Sequence, residues 1–294
     1  MRLRIATRGS DLALWQAHTV AGLLQALGAE TSVETLSTRG DRETGAPLFA
    51  LGATGLFTAE VDRALIEKRA EVAVHSLKDL PLKSPRGLTL VAIPERGPTE
   101  DLLVTTNGEP LAQLRQGARV GTSSPRRAGY LRATRPDLEI VTLRGNVPTR
   151  VKRVLDGEVD ATVLARAGVD RLEIPLEHTE VLPLLPAPGQ GALGIVVRSD
   201  DEDVLRFVRQ LDHEETRAEV TAERAVLGGL GGGCSLPLGA RARRLDGEWN
   251  VAAELWGEHG EHAFDERQGK DWIALAAEIA TTLHASGVAP ERES

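Results

Sequence analysis

Leu3 and Ile5 make a short apolar run, Thr7-Arg8-Gly9-Ser10 is polar, and apolar positions then recur at helical spacing from Leu12 to Leu27. This order predicts strand, loop and helix, the helix ending at Gly28, where glycine admits a positive φ. Gly55–Ala70 repeats the helical pattern, with Phe57, Val61, Ala64 and Leu65 on one face, and by spacing Phe57 reads as core. Glu71–Val74 is a compact strand running into His75-Ser76-Leu77-Lys78-Asp79-Leu80-Pro81. Open α/β sheets place their ligands just past the carboxyl ends of strands, which puts this polar cluster at a candidate site.

Residues 100–188 read as a second α/β unit. The strand Arg119-Val120 leads into Gly121-Thr122-Ser123-Ser124-Pro125-Arg126-Arg127 and a helix; the strand Glu139–Leu143 leads into Arg144-Gly145-Asn146-Val147-Pro148-Thr149-Arg150 and another. Asp160–Leu164 is a further strand, with Arg166 and Arg171 beyond it. Alternating strands and helices imply mostly parallel sheets. Pro186-Ala187-Pro188-Gly189-Gln190-Gly191 breaks the composition, and the strand Ala192–Val197 beyond it reads as a crossing back to the first domain. Helices are expected at about 201–211 and 214–227. The tail then changes to strands Pro237–Ala242 and Trp249–Leu255, joined through the hairpin signal Asp246-Gly247, and a last helix capped by Asp271 and stopped at Gly287. The expected fold is thus α/β, with domains at 1–94 plus 192–210, at 100–188, and a small α+β domain with an antiparallel sheet at 214–294.

Composition narrows the functional classes. A net charge of -8 argues against general nucleic-acid binding, which depends on surplus Lys and Arg. No apolar run approaches the roughly 20 residues of a membrane helix. A single cysteine permits no internal disulfide, and the amino terminus lacks the apolar stretch of a secretory signal, so a soluble protein of the reducing cytoplasm is expected. The seven histidines are scattered and a lone cysteine offers no thiolate cluster, so no metal site is expected. Lysine occurs only at Lys68, Lys78, Lys83, Lys152 and Lys270, which leaves arginine to carry most of the positive charge. Genome composition accounts for such a bias; so does an anionic ligand, because the guanidinium fork pairs two-on-two with carboxylates.

Gly121-Thr122-Ser123-Ser124 opening a helix is a ready anion site, with backbone amides and helix dipole both favouring negative charge. It lacks P-loop spacing, so a carboxylate-bearing ligand fits as well as a phosphate. A capped helix with two solvated arginines is the plainer reading. Lys78 and Asp79 beside His75 supply a cation, a carboxylate and an imidazole within one short segment, which equally suits a solvated turn. Cys234 sits in Gly231-Gly232-Gly233-Cys234-Ser235-Leu236-Pro237. A lone cysteine is most often a small buried hydrophobe. Glycines ahead of it, however, let a bulky group approach the backbone, which suits a covalent attachment point.

Taken together these segments resemble the porphobilinogen deaminases in family order, from Ile5-Ala6-Thr7-Arg8-Gly9-Ser10 through Gly55-Leu56-Phe57, Val74–Pro81, Gly121–Arg127, Leu143–Arg150 and Pro186–Ala192 to Gly232–Pro237. The resemblance spans essentially the whole chain. It implies a dipyrromethane cofactor joined to Cys234 by a thioether, onto which four porphobilinogen molecules are added head to tail with loss of ammonia before the linear tetrapyrrole hydroxymethylbilane is released. Asp79 matches the family's catalytic aspartate, a carboxylate placed to steady the cationic azafulvene left when ammonia departs. Arg8, Ser10, Lys78, Thr122, Ser123, Ser124, Arg126, Arg127, Arg144, Arg150 and Arg171 match positions that hold cofactor or substrate carboxylates, and Gln190 lies at the domain crossing. By the same match Phe57 is a stacking or packing residue of the site. The family further implies first and second domains like a two-lobed periplasmic binding protein, a third domain presenting the cysteine loop, and a monomer.

The chain departs from many relatives at Thr54, where they carry lysine. The glycine-rich, polar stretch Gly40–Thr54 predicts a mobile lid. Two other readings compete. An anion-binding module would explain the arginines but not the cysteine loop or third domain, and a thiol-nucleophile hydrolase would need a histidine brought to Cys234 by the fold.

Overall fold

The computed structural model describes residues 1–36, 58–176, 179–233 and 236–288. Along the chain come β1 (Arg2–Arg8), α1 (Asp11–Ala26), β2 (Glu30–Leu36), α2 (Ala59–Ile66), β3 (Val72–Ser76) and β4 (Leu88–Ala92). Next are β5 (Asp101–Thr105), β6 (Arg119–Gly121), α3 (Pro125–Thr134), β7 (Glu139–Val141), α4 (Val147–Leu155), β8 (Ala161–Ala165), α5 (Arg166–Arg171) and β9 (Glu180–Leu182). The last stretch holds β10 (Leu193–Arg198), α6 (Glu202–Val208), α7 (Glu214–Gly229), β11 (Leu238–Leu245), β12 (Glu248–Trp256), β13 (His262–Gly269) and α8 (Trp272–Ala285). The chain forms two compact units, Met1–Gly97 with Gly191–Ala218, and Pro98–Gln190 with Glu219–Ser294.

In the first unit the sheet order is β2-β1-β3-β10-β4. α1 starts because the Ser10 hydroxyl accepts from the Ala13 amide, and it buries Gln16, Ala17, Val20, Ala21 and Leu24, the i, i+4, i+8 stripe facing the core. Val20 and Leu24 are fully buried, each contributing roughly 1.5–3 kcal/mol. α2 likewise buries Val61, Ala64 and Leu65, as its spacing predicts. Every residue of β10 is buried. Its Gly194 lies opposite His75, and a Cβ there would come within 2.6 Å of Leu80 Cδ1 and 3.2 Å of Leu77 Cδ1. The missing side chain therefore lets the segment after β3 fold down onto the sheet.

The second unit contains a sheet of order β7-β6-β8-β5-β9 and a separate antiparallel sheet β11-β12-β13. Asp246 and Gly247 both take positive φ, 50° and 85°, as the two-residue hairpin between β11 and β12 requires. α8 is capped by Asp271, whose carboxylate accepts from the Ile273 and Ala274 amides. α3 packs on β12 through Gly129, where a Cβ would lie 2.5 Å from Trp256 Cβ. Trp256 in turn meets the Tyr130 edge at 5.6 Å and stacks on His262 at 4.0 Å.

The protein is α/β, and the expectation of mostly parallel sheets narrows to parallel halves. β1 pairs parallel with β2 and β3, and β6 with β7 and β8. β10 runs antiparallel to β3 and β4, and β5 antiparallel to β8 and β9, because these strands enter their sheets from the far end of the chain's crossings. The sequence pattern misses β13. His262–Gly269 is almost wholly polar, and its strand exists because it pairs with β12 along its full length. The strand expected over Glu139–Leu143 ends at Val141, which leaves the following residues to the site.

Candidate active site

In the first unit the carboxyl ends of the parallel strands β1 and β3 carry Arg8–Ser10 and Ser76–Asp79. Thr7 Oγ1 donates to the Ala13 carbonyl at 3.1 Å, fixing the first loop against α1. The second is a single 3₁₀ turn, Leu77–Asp79, held by the Leu77 amide on the Ala192 carbonyl at 3.0 Å. Gln16 links the two elements, its buried Nε2 donating to Ser76 Oγ at 2.9 Å. Arg8, Ser10 and Lys78 are half-buried, whereas Asp79 is exposed and its carboxylate has no hydrogen-bond or ion-pair partner among the described residues. A partnerless carboxylate at the tip of a turn anchored on buried Leu77 is free to meet a ligand without first breaking a contact.

Behind this turn His75 Nε2 lies 3.7 Å from Asp62 Oδ1, beyond hydrogen-bond reach, and has no hydrogen-bond partner among the described residues. Burial, aided by the charge on Arg8, lowers His75 to about 4, so the imidazole is neutral in the fold. Burial raises Asp62 to about 6, opposed by its bond with Thr58. The signs differ. Below its ordinary value of 6.5 the unfolded His75 takes up a proton that the fold excludes, and stability falls until about 4. For Asp62 the fold binds the proton more tightly, so ionisation costs stability, fully above about 6 and hardly at all below 3.8. At about 1.4 kcal/mol per pKa unit, and allowing for screening by solvent, that cost is on the order of 2 kcal/mol. Asp62→Asn is expected to raise the urea midpoint at pH 8, with a gain that shrinks by pH 5. An equal gain at both pH values would mean that Asp62 ionisation is not what the substitution relieves.

In the second unit the carboxyl ends of β6, β7 and β8 open into Thr122–Ser124, Leu143–Asn146 and α5. Ser123 Oγ donates to the Leu143 carbonyl at 2.8 Å, joining the first two loops. Ser124 Oγ accepts from the Arg127 amide and caps α3, with Pro125 at its first turn. Asn146 caps α4, and Arg150 Nε donates to the Gly145 carbonyl at 2.8 Å. Arg144, Arg150 and Arg171 are half-buried, and burial lowers the proton affinity of Arg171.

Arg126 and Arg127 are not solvated arginines. Both are buried, and both point at Asp101 of β5, with Arg126 Nη2 on Oδ2 at 2.5 Å and Arg127 Nη2 on Oδ1 at 2.6 Å. Their Nη1 atoms donate to the carbonyls of Leu185 and Val163. Gln190, also buried, donates through Nε2 to Asp101 Oδ1 at 2.9 Å and to the Thr99 carbonyl at 2.6 Å. Burial alone would push the Asp101 carboxyl up, but the two guanidiniums outweigh it and hold the group far below the usual carboxylate range. The sequence reading misses Asp101, Gln16 and Asp62. The only local signals are an acid heading the apolar run Asp101–Thr105 and a glutamine on the core stripe of α1.

Cys234, Phe57 and the stretch Gly40–Thr54 predicted as a lid lie outside the described residues. Among the described residues no group of three or more His, Cys, Asp or Glu side chains could hold a metal, and no helix is long and apolar enough to cross a membrane.

A family model described as "Porphobilinogen deaminase, dipyromethane cofactor binding domain" matches residues 3–206, and one described as "Porphobilinogen deaminase, C-terminal domain" matches residues 217–286. The porphobilinogen deaminase of Nitratidesulfovibrio vulgaris (strain DP4) is 43% identical over 300 residues, covering 98% of this chain and 94% of its own. That of Roseiflexus castenholzii (strain DSM 13941 / HLO8) is 48% identical over 245 residues, covering 82% and 81%. Among solved structures, the ancestral cationic amino acid solute binding protein AncCDT-1 aligns at 14% identity over 71% of this chain and 87% of that one, with a TM-score of 0.45. Family matches that run from residue 3 to residue 286 with one short gap place this chain in the porphobilinogen deaminase family of transferases, with a dipyrromethane cofactor binding domain as its larger part.

Proposed function

We propose that Cys234 carries the dipyrromethane through a thioether, and that the protein, acting as a monomer, joins four porphobilinogen molecules head to tail and releases hydroxymethylbilane. The observation that carries this reading is the gathering of hydroxyl, amide and guanidinium donors at the carboxyl ends of β6, β7 and β8. The donor set suits a ligand bearing several carboxylates. Among the described residues Arg127 Nε is buried without a hydrogen-bond partner, and each of Arg126 and Arg127 commits only two of its five N–H donors. Thr122, Ser123, Ser124, Arg126, Arg127, Arg144, Arg150 and Arg171 would hold the acetate and propionate groups of the cofactor. When bound, the dipyrromethane supplies the pyrrole carbon to which the first porphobilinogen unit is joined.

In the first unit Arg8, Ser10 and Lys78 bind carboxylates of the incoming porphobilinogen. Its aminomethyl C–N bond breaks, ammonia leaves, and positive charge spreads onto the pyrrole nitrogen. Asp79, exposed and without a partner among the described residues, is the carboxylate able to stabilise that charge and to accept the pyrrole proton. An acidic chain can do this because the local field selects the ligand, not the net charge.

Intact mass tests the tether. After incubation with porphobilinogen the wild-type chain is expected to carry a stable adduct of two pyrrole units mapping to the peptide of Cys234, and Cys234→Ala to carry none and to lose turnover. A bare thiol in catalytically competent protein would sink the reading. Binding without adduct or turnover would favour an anion-binding module.

A further inference from the structure

Two guanidiniums side by side in a buried site repel one another and need a counter-charge. Asp101 supplies it from β5, 25 and 26 residues away in sequence from the arginines of α3, and also accepts from Gln190 at a separation of 89. We infer that Asp101 is a positioning residue of the cofactor site, which fixes the direction of both arginine forks and offsets part of their charge. The inference rests on the reading that this pair holds cofactor carboxylates.

Stability alone does not account for the arrangement. Replacing a buried ion pair by apolar groups of similar volume is often neutral or stabilising, so a buried three-way cluster calls for another reason. Its geometry suggests one. Each guanidinium is gripped at both terminal nitrogens, by Asp101 on one side and by a main-chain carbonyl on the other. A side chain with roughly 2 kcal/mol of rotamer entropy is thereby stopped before a ligand arrives, and a preorganised donor loses less freedom on binding. Gln190 belongs to the same device. With its amide nitrogen on Asp101 and Thr99, it ties the segment that precedes β10 to the strand carrying the counter-charge.

The test is cofactor loading in Asp101→Asn, which keeps the shape and removes the charge. Folded protein, checked by circular dichroism and incubated with porphobilinogen, is expected to carry at least tenfold less adduct by intact mass than wild type. A purely structural role would lower the melting temperature yet leave the folded fraction fully loaded, and that result overturns the inference. Should Asp101→Asn fail to fold, Asp101→Glu keeps the buried charge and lengthens the arm. Folded Asp101→Glu is expected to load at least threefold more slowly than wild type, and a wild-type loading rate would overturn the inference. Arg127→Leu separates the two levels. Full loading of that variant sinks the parent reading, while an unloaded Arg127→Leu beside a normally loaded Asp101→Asn sinks only the role of Asp101.

Discussion

Asp79→Asn should leave the fold and the adduct on Cys234 in place and remove nearly all turnover, by roughly 10²- to 10⁴-fold, the range over which a positioned acid or base contributes. The expectation follows from exposure. Asp79 lies at the end of a 3₁₀ turn and makes no hydrogen bond or ion pair among the described residues, so its loss breaks no internal contact. Exposed substitutions of this kind change stability by less than about 0.5 kcal/mol. Asparagine keeps the shape of the side chain but cannot balance the charge left by departing ammonia. Tetrapyrrole formation measured beside intact mass checks both halves, and normal turnover would remove Asp79 from the mechanism.

Arg127→Leu should do the reverse, damaging loading and stability together. The guanidinium is buried against Asp101 Oδ1 and the Val163 carbonyl, so leucine removes a side-chain donor from the carbonyl and leaves Asp101 Oδ1 with Gln190 alone. Breaking a buried pair by removing one partner costs about 3–5 kcal/mol. Arg126 and Gln190 still reach Asp101, which places the expected cost near about 3 kcal/mol, read as a lower urea midpoint. The same variant should take up no dipyrromethane. Fully loaded Arg127→Leu protein of wild-type stability would contradict both the burial argument and the assignment of this arginine to the cofactor.

Much of the local structure is legible before any coordinates. Asp271 announces a helix start, Gly28 and Gly287 helix ends with φ of 92° and 71°, and Asp246-Gly247 a hairpin. These signals are readable because capping and positive φ act within a few residues, where chain order and spatial neighbourhood coincide. The polar segments at strand ends were legible for a related reason: a strand followed by a polar turn and a helix places that turn at the sheet's carboxyl edge.

Other features depend on which strand lies beside which. β13 has no apolar alternation and becomes a strand only against β12. Arg126 and Arg127 look like solvated charges in the segment that contains them, and become a fixed pair only when β5 brings Asp101 beneath α3. Gln16 acquires its role when Ser76 arrives from 60 residues away. The sequence by itself therefore determined the longer helices, the helix ends and hairpin set within a few residues, and the carboxyl-edge loops that bear the candidate site residues. Tertiary structure decided which of those side chains are tied down by a buried partner and which, like Asp79, stand free, because long-range pairing sets burial, and burial sets the cost of leaving a charge alone.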